Sequence, residues 1–335
     1  MNHWTQPHRY NRRQWIAAGA ATLVATSRSR SVAGDESAPS SSASLAGEPA
    51  LAYSEPETTR WKFGLVLQPP VTCTNVFATF PVPRDWDEQK VQLVEQMVEP
   101  SRARWDRRTL LESVDQILVS IDQVRAGDRA EVSFTYDVTR HKIGTAIDPL
   151  TLVAPDRIDR DLRWFMGNSP EIDASHGRIR RAGRDLALDG IDSAWQRVER
   201  IYDFVRDNVQ YVEGPIRRAS DALKTGRGDC EDMTSLFVAM CRNAGVPSRM
   251  VWIPGHCYPE FYLVDASGQG HWFPCQAAGS RHFGEMPETR PVIQKGDRFK
   301  VPESRQPVRY VSEFFRCDRK GSKNPNPKFI MQRVS

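Results

Sequence analysis

The sequence predicts an α+β protein in which an antiparallel β-sandwich precedes a unit of helices packed on an antiparallel sheet. Three observations carry that reading. Between residues 59 and 143 apolar and polar residues alternate in several runs, from residue 193 a helical stripe replaces the alternation, and after Pro247 short β-rich runs return around a glycine-bearing turn.

At the N-terminus Arg12 and Arg13 precede a weakly apolar run from Trp15 to Thr26, and small residues at Ser31, Val32 and Ala33 offer a cleavage position. This is the pattern of a twin-arginine export signal over residues 1–33, and about ten apolar residues are too few to span a bilayer. The expected protein is therefore periplasmic or secreted, with no integral membrane span in the mature chain. Removing the five arginines before that cut from the 46 basic residues leaves 41 against 42 acidic ones, so the apparent basicity belongs to the signal. No interleaving of aromatic and basic residues points to nucleic acid. Six cysteines in 335 residues are too few for a disulfide scaffold.

Residues 34–58, rich in Ser, Ala, Glu and Pro, read as a disordered linker. The sandwich follows over 59–143. Trp61, Phe63, Leu65 and Leu67 share one face, as do Ile117, Val119 and Ile121, and again Val132, Phe134, Tyr136 and Val138. The second unit spans 144–317. Ser193 and Gln196 open a helix as a capping box, with Trp195, Val198, Ile201, Tyr202 and Val205 on one stripe. A later helix sets Met233, Phe237, Met240 and Ala244 on one face and stops at Gly245 and Pro247. Residues 318–335 read as a polar, solvated tail.

The chemistry gathers at the start of that later helix. Gly226 and Gly228 allow a tight turn, Asp229 caps, and Cys230 falls in or beside the first turn. There the positive end of the helix dipole and unpaired N–H groups favour a thiolate. A thiolate nucleophile needs a histidine within hydrogen-bond reach, and the histidine needs a third group to fix its tautomer. "GHCYPEFYLVDASGQGHWFPCQ" reads as a hairpin whose loop holds Asp265, Gly268 and Gly270. A register that sets His256 opposite Gln276 also sets Cys257 opposite Cys275, with the two pairs on opposite faces of the sheet. Cys230, His256 and Gln276 are thus the candidate catalytic residues, with Gln276 on the imidazole Nδ1 and Nε2 facing the thiol. Cys257 and Cys275 would face away from the site, as two thiols rather than a strained bridge.

The order of a cysteine at a helix start, a histidine on a strand and a polar residue on the next resembles the transglutaminase-like branch of the papain-like cysteine enzymes. "GRGDCEDMTSLFVAMCRNAGVPSRMVWIPGHCYPEFYL" and "HWFPCQAAG" carry the likeness, over roughly residues 193–284. The upstream sandwich is similar to the β-domain often found ahead of this core in bacterial members. The resemblance implies a transglutaminase-like core, a Cys230–His256–Gln276 triad and acyl transfer or hydrolysis at a carboxamide or peptide bond. It also implies a protein or peptide substrate and no cofactor or metal.

One position departs from the family, which usually has aspartate where this chain has Gln276. A glutamine carbonyl can hold the imidazole but adds no negative charge. Asp265 and Glu260 could supply one, or be surface residues of the hairpin. Asp232 resembles an acidic position common in the family and reads as helix N-terminal stabilisation ahead of catalysis. Trp252, Tyr258 and Trp272 read as cleft walls or as core, and Cys241 as buried packing. His256, Cys257, His271, Cys275 and His282 match no ordinary zinc spacing. A second reading keeps the fold without the catalysis, as a binding or envelope-structural protein whose sandwich makes the contacts. The oligomeric state is left open.

Overall fold

The structure, a computed structural model, describes residues 2–5 and 49–334. The twin-arginine pair, the apolar run, the cleavage position and residues 34–48 of the expected linker lie outside the described residues.

The chain begins with strand β1 (Asn2–Thr5). Six longer strands follow, β2 (Leu51–Leu67), β3 (Cys73–Val82), β4 (Gln89–Glu99), β5 (Arg104–Leu110), β6 (Val114–Val124) and β7 (Ala130–Thr145). Helices α1 (Gly177–Asp185) and α2 (Ala194–Asn208) come next. Strands β8 (Gln210–Tyr211) and β9 (Arg227–Gly228) then flank α3 (Ala219–Thr225), and α4 (Cys230–Asn243) leads into β10 (Ser248–Ile253), β11 (His256–Val264) and β12 (Gly270–Pro274). The chain closes with β13 (Gln294–Lys295), β14 (Phe314–Arg319) and β15 (Lys328–Arg333).

Two antiparallel sheets face each other in the sandwich. One has the order β15-β2-β7-β4, and the other is the β14-β3-β6 part of a nine-stranded sheet in which β5 also pairs with β6. Period-two alternation dictates this: the expected faces of β2, β6 and β7 all enter one buried core, joined by Val76, Ala78 and Phe80 of β3.

Three expected boundaries are corrected. First, β2 starts at Leu51 rather than after residue 58, and Leu51–Ser54 pairs with Lys142–Thr145 of β7. Side chains 52–58 are exposed, so the polar composition reflects a solvated stretch of ladder and not a disordered linker. Second, the expected polar tail contains β15, which pairs with β2, and it begins inside β14, which pairs with β3. Phe329 lies opposite Leu65 with its ring 6.4 Å from that of Phe80, and Met331 packs beside it. Two apolar residues at strand spacing were masked by the lysines, prolines and glycine around them. Third, the sheet does not stop near residue 143. Strand β13 pairs with β6 at Val114 and with β10 at Val251 and Trp252, so one sheet of order β1-β14-β3-β6-β13-β10-β11-β12 runs through both units.

The helices cover one face of the β10-β11-β12 end. Trp195, Val198, Ile201, Tyr202 and Val205 of α2 meet Leu236, Phe237 and Met240 of α4 and Cys257, Phe261 and Phe273 of the sheet in a single core. No helix among the described residues is long and apolar enough to cross a membrane.

The pairing of β15 is testable. Truncation after Asn326 should lower the melting temperature, and Phe329→Ala alone should cost about 2 kcal/mol, roughly half of what a fully buried phenylalanine loses. An unchanged melting curve would return these residues to the status of a solvated tail.

Candidate active site

Helix α4 is buried along one continuous stretch, Cys230 to Arg242, rather than on one face as its apolar spacing suggests. Its polar residues can be buried because each has a partner. Asp229 is the N-cap: its carboxylate accepts from the N–H groups of Glu231 at 2.8 Å and Asp232 at 3.1 Å, while Asp232 Oδ2 accepts from the Asp229 N–H at 3.3 Å. This reciprocal capping box is reinforced by Arg217, whose N–H and Nη1 each reach the Asp232 carboxylate at 2.8 Å. Asp232 is therefore a structural carboxylate that ties the 212–218 loop to the helix start. A Cβ on Gly228 would come within 2.6 Å of the Asp232 Cβ, so this close approach requires glycine.

Farther along, Arg309 reaches Glu231 at 3.3 Å and Ser235 Oγ at 3.1 Å. At the other end the Arg242 guanidinium pairs with Asp297 at 2.8 Å, both essentially sealed from solvent, and donates to the Ser248 carbonyl. Thus α4 is fixed at both ends, and Cys230, with 6% of its surface exposed, has a determined place.

Strand β11 packs against α4. Cys257 Sγ lies 3.7 Å from the Cys230 carbonyl oxygen and 3.7 Å from Thr234 Oγ1, which sets the neighbouring His256 at the same end of the helix. His256 Nε2 lies 3.0 Å from Gln276 Oε1. An amide oxygen only accepts, so this contact fixes the tautomer with the proton on Nε2 and leaves Nδ1 as the basic nitrogen. The structure thus brings His256 and Gln276 together, through Nε2 rather than the expected Nδ1.

The hairpin register also differs. Phe261 pairs with Phe273, two residues from the expected partner His271, and the ladder ends at Glu260 and Pro274. A slip of two preserves which face each residue occupies, and the Gln276 side chain covers the remaining distance. Cys257 therefore does not oppose Cys275, whose N–H donates to the Pro259 carbonyl. Both pack into the core on the α4 side rather than facing away from the site. All six cysteines are buried and none is in a disulfide. Burial pushes the thiols of Cys241 and Cys275 well above the ordinary range, which marks them as inert packing.

Neither expected stand-in carboxylate serves His256. Glu260 is buried and shared between Lys295 at 2.9 Å and Arg249 at 2.7 Å. Asp265 is spent within the β11–β12 turn on Ser267, His271 and the Gln269 N–H, with the Ser267 hydroxyl and then His271 holding it below the usual carboxylate range. Trp252 and Tyr258 are core, with the Trp252 indole N–H on the Gly296 carbonyl at 2.7 Å, and Trp272 lies under the Arg249 guanidinium at 4.0 Å. Among the described residues no group of three or more His, Cys, Asp or Glu is placed to hold a metal.

Two contributors had no motif to reveal them. Tyr202 and Arg206 of α2 donate to the Gln276 carbonyl at 2.9 and 3.0 Å, and Arg206 also donates to Gly279 at 2.9 Å. They hold the segment that delivers Gln276. The stripe of α2 identified Tyr202 as core, but nothing in it shows a tyrosine hydroxyl aimed at a distant carbonyl.

Helices packed on an antiparallel sheet, with a cysteine at a buried helix start and a histidine on the facing strand, define a papain-like α+β core. The chain matches the family model of the transglutaminase-like superfamily over residues 185–277. Its fold is similar to that of a "Putative Cysteine Protease" from Cytophaga hutchinsonii, with a TM-score of 0.53 and 15% identity over 85% of this chain and 93% of that one. A "putative protease" from Parabacteroides distasonis covers 65% of this chain and 47% of its own at 11% identity; its TM-score of 0.26 carries no structural weight. No curated protein matches the sequence.

The anchoring of α4 can be measured. Asp297→Ala would leave the Arg242 guanidinium buried without its counter-ion and should cost about 3–5 kcal/mol in urea unfolding. A loss under 1 kcal/mol, on the order of a surface pair, would show that Asp297 does not anchor the helix.

Proposed function

We propose that this protein is an exported cysteine enzyme of the transglutaminase-like type, performing acyl transfer or hydrolysis at a carboxamide or peptide bond. The observation that carries the reading is the 3.0 Å contact between His256 Nε2 and Gln276 Oε1 beside the capped helix start that holds Cys230. Gln276 keeps the proton on Nε2, so Nδ1 is the nitrogen available to the thiol.

Nδ1 takes the Cys230 proton as the sulfur attacks the substrate carbonyl carbon, and the Cys230 N–H helps bind the oxyanion. The C–N bond then breaks, with the imidazolium proton passing to the departing amine. Water or an incoming amine, deprotonated by Nδ1, attacks the thioester and releases the thiol. Water gives hydrolysis or deamidation and an amine gives a cross-link, with a protein or peptide as acyl donor and no cofactor. The twin-arginine pattern supports a periplasmic or secreted location.

Two features favour the non-catalytic alternative: Gln276 brings no charge to the imidazolium, and Cys230 is largely covered. The two readings separate on thiol reactivity. Iodoacetamide near neutral pH should label Cys230 in the native protein much faster than Cys241, and His256→Ala should slow that labelling. Equal labelling of the two thiols would favour the binding protein. Against a peptide library, mass spectrometry should find acyl adducts on Cys230 that Cys230→Ala abolishes.

The third residue gives a separate prediction. Gln276→Ala should lower turnover about tenfold or more, because the tautomer is no longer held. Gln276→Asp should retain activity and raise the His256 pKa, since a nearby negative charge favours imidazolium; because Nδ1 acts as a base, the acidic limb of the pH–rate profile then moves upward. Unchanged turnover in Gln276→Ala would make the site a dyad.

A further inference from the structure

His256 enters its strand from a two-residue connection. Ile253 pairs with His256 across the β10–β11 hairpin, leaving Pro254 and Gly255 as the turn, with Gly255 at φ +73°. Proline at the first central position and a left-handed glycine at the second are the type II pattern. Type II turns do not match the right-handed twist of a hairpin as well as the primed types do, so the corner needs outside support. In this turn the carbonyl between the two central residues points away from the hairpin and finds no partner within it.

That partner is Arg290. Its Nη1 donates to the Pro254 carbonyl at 2.9 Å. The guanidinium is itself held by Glu288, which accepts from Arg290 Nε at 2.9 Å and Nη2 at 2.5 Å and from the Arg290 N–H at 2.9 Å. The Glu288 carbonyl is fixed in turn by Arg140 Nε at 3.2 Å. A planar fork with two occupied edges cannot shift without breaking charge-assisted bonds.

We propose that Arg290, braced by Glu288, is the positioning residue of His256, holding the Pro254–Gly255 turn in the one conformation that keeps the imidazole on Gln276, on the strand that packs against the start of α4. This rests on the cysteine–histidine reading above. The charged groups around the corner are Glu288 and Arg290 before β13, with Gln276 as the neutral neighbour of His256. Burial alone would raise the Glu288 carboxyl. Arg290, with a smaller contribution from the charge of His256, holds it below its ordinary range.

The test measures the rate of iodoacetamide alkylation at Cys230 from pH 5 to 9 in the full chain, together with melting curves, for Arg290→Ala, Arg290→Lys and His256→Ala. Arg290→Ala should slow alkylation about ten- to a hundredfold, the scale of a small misplacement of a catalytic group, and flatten the pH profile, with a melting temperature close to that of the parent. Arg290→Lys, which can reach Pro254 or Glu288 but not both, should fall between. A parent-like rate and profile in Arg290→Ala, with His256→Ala slow, would overturn the positioning role alone. If His256→Ala also alkylates at the parent rate, the cysteine–histidine pair and this inference fail together. A rate lost only in proportion to a large drop in melting temperature, with the pH profile unchanged in shape, would reduce Arg290 to a structural residue and overturn the proposal too.

Discussion

The arrangement depends on burying a helix that still carries charge. From Cys230 to Arg242 every residue of α4 is enclosed, including Glu231, Asp232 and Arg242. An unpaired charge there would cost several kcal/mol, so the surrounding chain supplies Arg309, Arg217 and Asp297 from three separate segments. Each partner also fixes where its segment sits. The loop before α3, the stretch just after β13 and the stretch before β14 are located by the helix they neutralise, and the small end of α4 that holds Cys230 inherits that fixity.

The same caps limit what the helix end can do for the thiol. A helix start normally favours a thiolate through its dipole and its unpaired N–H groups. Here the N–H groups of Glu231 and Asp232 are spent on Asp229. The Asp229 carboxyl is pushed above its ordinary range, first by burial and then by the charge of Cys230. The capped helix end thus fixes the place of the sulfur. In the proposed reading, activation of the thiol then falls to His256, and the geometry of the hairpin corner that carries it becomes decisive.

Much of this was legible in the sequence because it follows from periodicity and local chemistry. The faces of β2, β6 and β7, the stripe of α2 and the cap at Asp229 are short-range features, and the structure reproduces them. The meeting of His256 and Gln276 was also legible, despite a register shifted by two, because parity along a strand survives such a slip. What escaped was long-range or orientational. Nothing local shows that Nε2 rather than Nδ1 meets the amide. Phe329 and Met331 look like a tail until β2 is there to receive them, and Arg290 looks like any surface arginine until Pro254 turns a carbonyl toward it. The shared sheet was hidden for the same reason, since β13 is two residues long and its Gln294 extends the pairing through a side-chain amide that exchanges hydrogen bonds with Val311.

That shared sheet makes the sandwich part of the site's framework. Between the two units lies a buried run of charge in which Lys295 of β13 reaches Glu88 at 2.8 Å and Glu260 of β11 at 2.9 Å, and Arg140 of β7 donates to the Tyr258 hydroxyl of β11 at 2.8 Å. Burial alone would raise the Glu88 carboxyl, but Lys295 and Arg140 hold it at about 2. Its contribution is complete above the ordinary carboxylate range and is lost only as the pH falls toward that value. Across the working range of most proteins the connection therefore stays ionised and closed. Arg140 belongs to the sandwich, yet it also grips the Glu288 carbonyl beside the corner that carries His256. A displacement of the sandwich would thus reach the corner that carries the imidazole through three residues, Arg140, Glu288 and Arg290, which explains why a domain without chemical motifs of its own is joined to the core by sheet and by buried charge rather than by a linker.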